Sequence, residues 1–134
     1  MYKISSIAAV LLITVSTLSA QTVLGKWKTI DDNTGVAKSI VEIYEQDGKV
    51  YGKVAEILNK DRVDAVCTEC EGKDKDKPIL GLVIIRELEK DGDEYNGGRI
   101  LDPESGTLYK CYIELEEKDK LKVLGETFDD ARIK

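Results

Sequence analysis

Tyr109, Cys111, Ile113 and Leu115 alternate with Lys110 and Glu114 along residues 107–115. Side chains of an extended chain point to opposite faces with a period of two, so this stretch reads as a strand with one face in a core and the other in water. The rest of the chain carries the same constraint. Segments rich in Val, Ile and Tyr at 23–30, 37–44, 49–58, 79–88, 94–101, 107–115 and 120–125 are separated by clusters of turn-forming residues. That spacing marks an all-β sandwich or barrel, and long helical periodicity is missing. Parallel neighbours need a crossover of a dozen or more residues. Gaps this short do not hold one, so the predicted fold class is all-β, an antiparallel meander forming a β-barrel.

The turns have their own chemistry. Asp47-Gly48 is a two-residue hairpin signal, because both central positions of a type I′ turn need positive φ. Asp31-Asp32-Asn33-Thr34-Gly35 and Asp102-Pro103-Glu104-Ser105-Gly106 are longer turns, in which proline presets φ and glycine takes the left-handed step. The exception is 59–78, a long connection that includes Lys73-Asp74-Lys75-Asp76-Lys77. Long loops in compact domains are functional or mobile, and its alternating charges read as solvated.

Of the 134 residues, the first twenty have the order of an export signal. Lys3 is followed by an apolar stretch, residues 7–13 continuing through Val15, and then by small and polar residues ending Leu18-Ser19-Ala20. The apolar core is too short to favour a stable membrane anchor. Cleavage is expected after Ala20, leaving residues 21–134 as one domain in the periplasm or secreted.

The net charge of −6 gives no electrostatic footprint for nucleic acid or anionic lipid. The absence of histidine removes Ser-His-Asp and Cys-His catalysis and His-ligated zinc. Acid doublets such as Asp31-Asp32, Glu116-Glu117 and Asp129-Asp130 carry little information among 26 acidic residues, because neighbouring acids on a strand point apart. Residues 31–35 have the composition of a calcium loop without its spacing or its distal Glu.

Cys67-Thr68-Glu69-Cys70 admits three readings: a local disulfide, a redox pair, or half of a metal site. A redox pair normally sits at a helix N-terminus in an α/β unit, which this charged loop does not supply. With Cys111 as the only other thiol, a zinc site would need a carboxylate to complete it. An exported chain meets oxidising conditions, so the context favours joining Cys67 to Cys70. Cys111, on the apolar face of its strand, reads as a small core hydrophobe. Trp27, the sole tryptophan, reads as a core aromatic.

Gly25-Lys26-Trp27, entering the first strand, is similar to the lipocalin signature, in which the tryptophan plugs the closed end of a barrel. The likeness extends through Thr34-Gly35, Lys38-Ser39-Ile40-Val41-Glu42-Ile43-Tyr44, Gly48-Lys49-Val50-Tyr51-Gly52-Lys53-Val54, Cys67 and Cys70, Gly81-Leu82, Gly97-Gly98, Ile100-Leu101-Asp102-Pro103, Ser105-Gly106 and Tyr109. Together these motifs resemble the exported bacterial family of unknown function called DUF2147. The resemblance implies an exported, lipocalin-like barrel with no established activity and no catalytic residues to carry over; no cofactor is expected.

The end departs from that pattern. The family implies an Arg before Gly125 and a closing strand bearing Trp and Arg, whereas Leu124 precedes Gly125 here and the tail is Phe128-Asp129-Asp130-Ala131-Arg132-Ile133-Lys134. The expectation is a truncated or frameshifted version, an incompletely closed barrel and self-association through its open strand edges. The leading functional expectation is a non-enzymatic domain holding a small apolar ligand, with Trp27, Val41, Ile43, Tyr109, Cys111 and Ile113 lining the interior. The rivals are an envelope protein-interaction module with a filled core and a thiol-redox protein using Cys67 and Cys70.

Overall fold

The structure, a computed structural model, describes residues 22–30, 34–117, 120–125 and 128–133, of which 124, 125 and 128–133 are described by their backbone. The expected export signal and its cleavage point lie outside them. The described strands are β1 Gly25–Ile30, β2 Ala37–Gln46, β3 Lys49–Ile57, β4 Val83–Asp91, β5 Glu94–Leu101, β6 Leu108–Glu117, β7 Lys120–Gly125 and β8 Phe128–Ile133. Each pairs with the next, antiparallel throughout, and β8 returns to β1 to close a barrel. The first seven are the segments expected from alternation. The largest shift is in β4, which starts at Val83 because 79–82 finish the preceding connection.

The tail, expected to leave the barrel incompletely closed, supplies an eighth strand that closes it through a short ladder. Phe128–Ile133 pairs with β7 from Gly125↔Phe128 to Leu121↔Ile133, and with β1 at Thr29↔Ile133 and Ile30↔Arg132. Backbone amides and carbonyls bond whatever the side chains are, and two neighbouring strands offer partners on both sides. The closing ladder is nevertheless the shortest of the eight. Among the described residues, Gly25–Lys28 of β1 is paired on the β2 side alone.

Side-chain alternation sorts the wall into two faces. Val41, Ile43, Val50, Val54, Ile85, Leu88, Cys111, Ile113, Leu121 and Val123 are buried in one cluster, while Lys26, Lys28 and Lys110 stay exposed. Apolar burial of this kind contributes roughly 25 cal/mol per Å² removed from water. At the β2–β3 hairpin Asp47 and Gly48 have φ of 53° and 80°, the left-handed pair that a type I′ turn requires.

Connections alternate between the two ends of a meander barrel. The short β2–β3, β4–β5 and β6–β7 hairpins lie at one end. The other end carries the β1–β2, β3–β4, β5–β6 and β7–β8 connections, and it forms the mouth. The longest, residues 58–82, holds two 3-10 turns at Lys60–Arg62 and Gly72–Asp74 and folds back over the mouth as a lid.

Candidate functional site: the cavity at the barrel mouth

A cavity of about 490 Å³ opens at the mouth. Its apolar wall comes from the mouth-side ends of the strands, with Val54 and Ile57 of β3, Ile84 of β4, Ile100 and Leu101 of β5 and Val123 of β7. The lid adds Ala65 and Ile79. Polar groups are confined to the rim: Lys38, Asn59 and Arg62 on one side, and Asp102 and Glu104 in the β5–β6 turn. The Thr29 and Ser39 hydroxyls also line the cavity, but they satisfy each other across the β1–β2 ladder at 2.8 Å.

The lid is anchored at several points. The Gly81 amide donates to the Val54 carbonyl at 2.8 Å, and the Val54 amide donates to the Leu82 carbonyl at 3.0 Å. Cys67 and Cys70 are joined, with Cα atoms 5.3 Å apart, as the favoured reading of the motif expected. The bridge is buried, and Cys67 Sγ lies 3.3 Å from the carbonyl oxygen of Pro103. Pro103 lines the cavity as well, so the bridge joins the lid to the neighbouring turn. Gly106 makes that approach possible: its φ is 73°, and a Cβ there would overlap the Glu69 carbonyl.

The charged run of the lid is not wholly solvated. Asp74 is 9% exposed and accepts from Arg86 Nη2 at 3.0 Å, with Lys77 Nζ at 3.7 Å. Arg86 Nε donates to the Val83 carbonyl at 2.9 Å. A buried carboxylate needs such partners to offset lost hydration. This pair fastens the lid to the outer face of β4.

None of the six residues expected to line an interior site is among those lining this cavity. Val41, Ile43, Cys111 and Ile113 are buried in the same core cluster as Val54, Ile84, Leu101 and Val123, of which only the latter four line the cavity. Trp27 is 7% exposed and donates from Nε1 to the Val23 carbonyl at 2.7 Å, which folds the start of the chain against it. Tyr109 is half-buried opposite Ile100 in the β5–β6 ladder, as Val41 is opposite Val54 and Ile113 opposite Val123, so these three adjoin cavity-lining residues. Burial also pushes the Cys111 thiol up to about 12. Sequence reasoning missed Ile57, Ile79, Ile84 and Ile100 because alternation gives the face of a residue and not its height in the barrel. The usable signal was position: each sits at the mouth-side end of its strand or in the lid.

A closed antiparallel meander, packed at one end and hollow at the other, is a lipocalin-like barrel. The chain belongs to the family described as "Uncharacterized protein conserved in bacteria (DUF2147)", whose model matches residues 25–129. Among solved structures it is similar to protein HP1028 from Helicobacter pylori, described as belonging to the lipocalin family. The TM-score is 0.71 at 18% identity, over 84% of this chain and 82% of that one. At that identity the likeness is one of fold. No curated protein matches the chain.

Proposed function

We propose that this protein is exported to the periplasm or beyond and acts by binding, taking a small, largely apolar ligand into the cavity at the barrel mouth. The observation that carries the reading is the cavity itself. At about 490 Å³ it falls within the range of roughly 300–1,000 Å³ typical of small-molecule sites, and its apolar wall with few polar groups at the rim is the usual lining. A loop disulfide accords with export into an oxidising compartment. The thiol-redox alternative is disfavoured by the burial of both bridged cysteines, because exchange needs an accessible sulfur.

N-Phenyl-1-naphthylamine, an uncharged probe whose fluorescence rises in apolar surroundings, tests this. One saturable site is expected, with binding lost in Ala65→Trp, which fills the cavity from the lid. Unsaturable binding, or binding indifferent to Ala65→Trp, would overturn the proposal and favour an interaction module.

A further inference from the structure

Resting on that reading of the cavity, we infer that the ligand is a single-chain amphiphile with an anionic head, its apolar body inside the barrel and its head against Lys38 and Arg62. The two cations come from the same side of the mouth. The Lys38 carbonyl accepts the Leu58 amide at 2.9 Å, and the Arg62 amide donates to the Asn59 carbonyl at 2.9 Å. Lys38, Asn59 and Arg62 are therefore neighbours through the backbone, and all three line the cavity.

Neither cation is in an ion pair among the described residues, in contrast to Lys49, Lys53, Lys77 and Arg86. The Asn59 carboxamide oxygen caps the Asp61 amide at 3.0 Å, which leaves its nitrogen as a further donor. Across the mouth, Asp102 is engaged within its own turn: one oxygen accepts the Glu104 amide at 2.9 Å and the other the Ser105 hydroxyl at 3.0 Å. Among the described residues that line the cavity, Glu104 is the one acid without such a bond. Among the described lining residues, the Lys38–Asn59–Arg62 side of the rim thus offers donors with no acid beside them in the cavity lining, in a chain whose net charge of −6 provides no general attraction for anions.

Size restricts the body of the ligand. At ~30 Å³ per water-sized group, about 490 Å³ matches one alkyl chain, whereas the two chains of a membrane lipid would have to extend out through the open mouth. The stems of Lys38 and Arg62 can lie along the apolar wall while their charged ends stay in water, the usual behaviour of such side chains. Because both residues are exposed, the selectivity is moderate and screened by salt.

Isothermal titration of the mature protein with dodecanoate, dodecanol and dodecyltrimethylammonium separates the possibilities. Dodecanoate is expected to bind about tenfold more tightly than dodecanol at low salt, and dodecyltrimethylammonium most weakly. The Lys38→Gln/Arg62→Gln double variant should reduce the carboxylate preference to about twofold or less, and the charge-conserving Lys38→Arg/Arg62→Lys variant should keep it. Circular dichroism confirms that both variants fold. Equal affinity for dodecanoate and dodecanol, or a preference that survives in the glutamine variant, would overturn the head-group assignment while leaving the cavity reading in place. Failure of all three probes to bind would overturn both.

Discussion

Two single residues make consequences testable without any ligand. Gly106 lets the β5–β6 turn meet the lid at the Glu69 carbonyl, at a φ of 73°. Gly106→Ala must move one loop off the other and hold a strained backbone, so we expect a loss of about 1–3 kcal/mol in denaturant unfolding. Gly92→Ala, also at positive φ but with open space around it, should cost less. A comparable loss in both would mean that strain alone, and not the docking of the lid, explains Gly106. Cys111 supplies a pH prediction. Its folded pKa is raised from 9.0 to about 12 by burial, so the thiol's contribution is complete below the unfolded value and declines as pH rises between the two. Over that window the unfolded chain has lost a proton that the folded chain keeps, and stability falls by roughly 1.4 kcal/mol per pH unit from this group. Cys111→Ala should show a shallower alkaline decline in unfolding free energy, and an identical slope would contradict the assignment.

Among the elements, the lid and the closing strand are held by different means. The Cys67–Cys70 bridge closes a very small ring, so removing it in Cys67→Ala/Cys70→Ala should cost on the order of 2 kcal/mol while the barrel still unfolds cooperatively. Its larger effect should be on release of the naphthylamine probe, faster as the lid loosens, measured by stopped flow. Unchanged release would show that Asp74–Arg86 and the Gly81 and Leu82 backbone bonds hold the lid without it. β8 joins β7 to β1, and its ladder with β1 covers only Thr29 and Ile30. Removing residues 126–134 should uncover edges on β1 and β7 together, lower the unfolding free energy and drive self-association in sedimentation experiments. A truncated chain that stays monomeric and equally stable would show that β8 adds little to the barrel.

For the whole molecule the proposal joins export, an oxidised lid and a hollow mouth in one mature domain. N-terminal sequencing of the protein recovered from outside the cytoplasm is expected to begin at Gln21 or its cyclised form. Recovery of intact Met1 in the membrane fraction would reverse the proposed localisation. A bound amphiphile should also raise the unfolding temperature of wild-type protein with concentration, as any ligand of the folded state does.

Much of the wall was legible because alternation is a local property. Tyr109, Cys111, Ile113 and Leu115 declare their face through their immediate neighbours, and Asp47-Gly48 declares its turn through two φ values. The Cys67–Cys70 pairing was legible for the same reason, since three positions separate the partners. β8 was not, because its pairing depends on backbone groups of β1 and β7 rather than on a pattern within Phe128–Ile133. Nor was the cavity. Whether an inward position is packed, as Ile113 is, or lines space, as Ile100 does, depends on its height in the barrel and on how the lid lies over the mouth. By itself the sequence determined which residues face inward, through a two-residue period set by backbone geometry. Only the tertiary structure decided where that interior is full and where it is hollow, because volume is enclosed by strands that are distant along the chain.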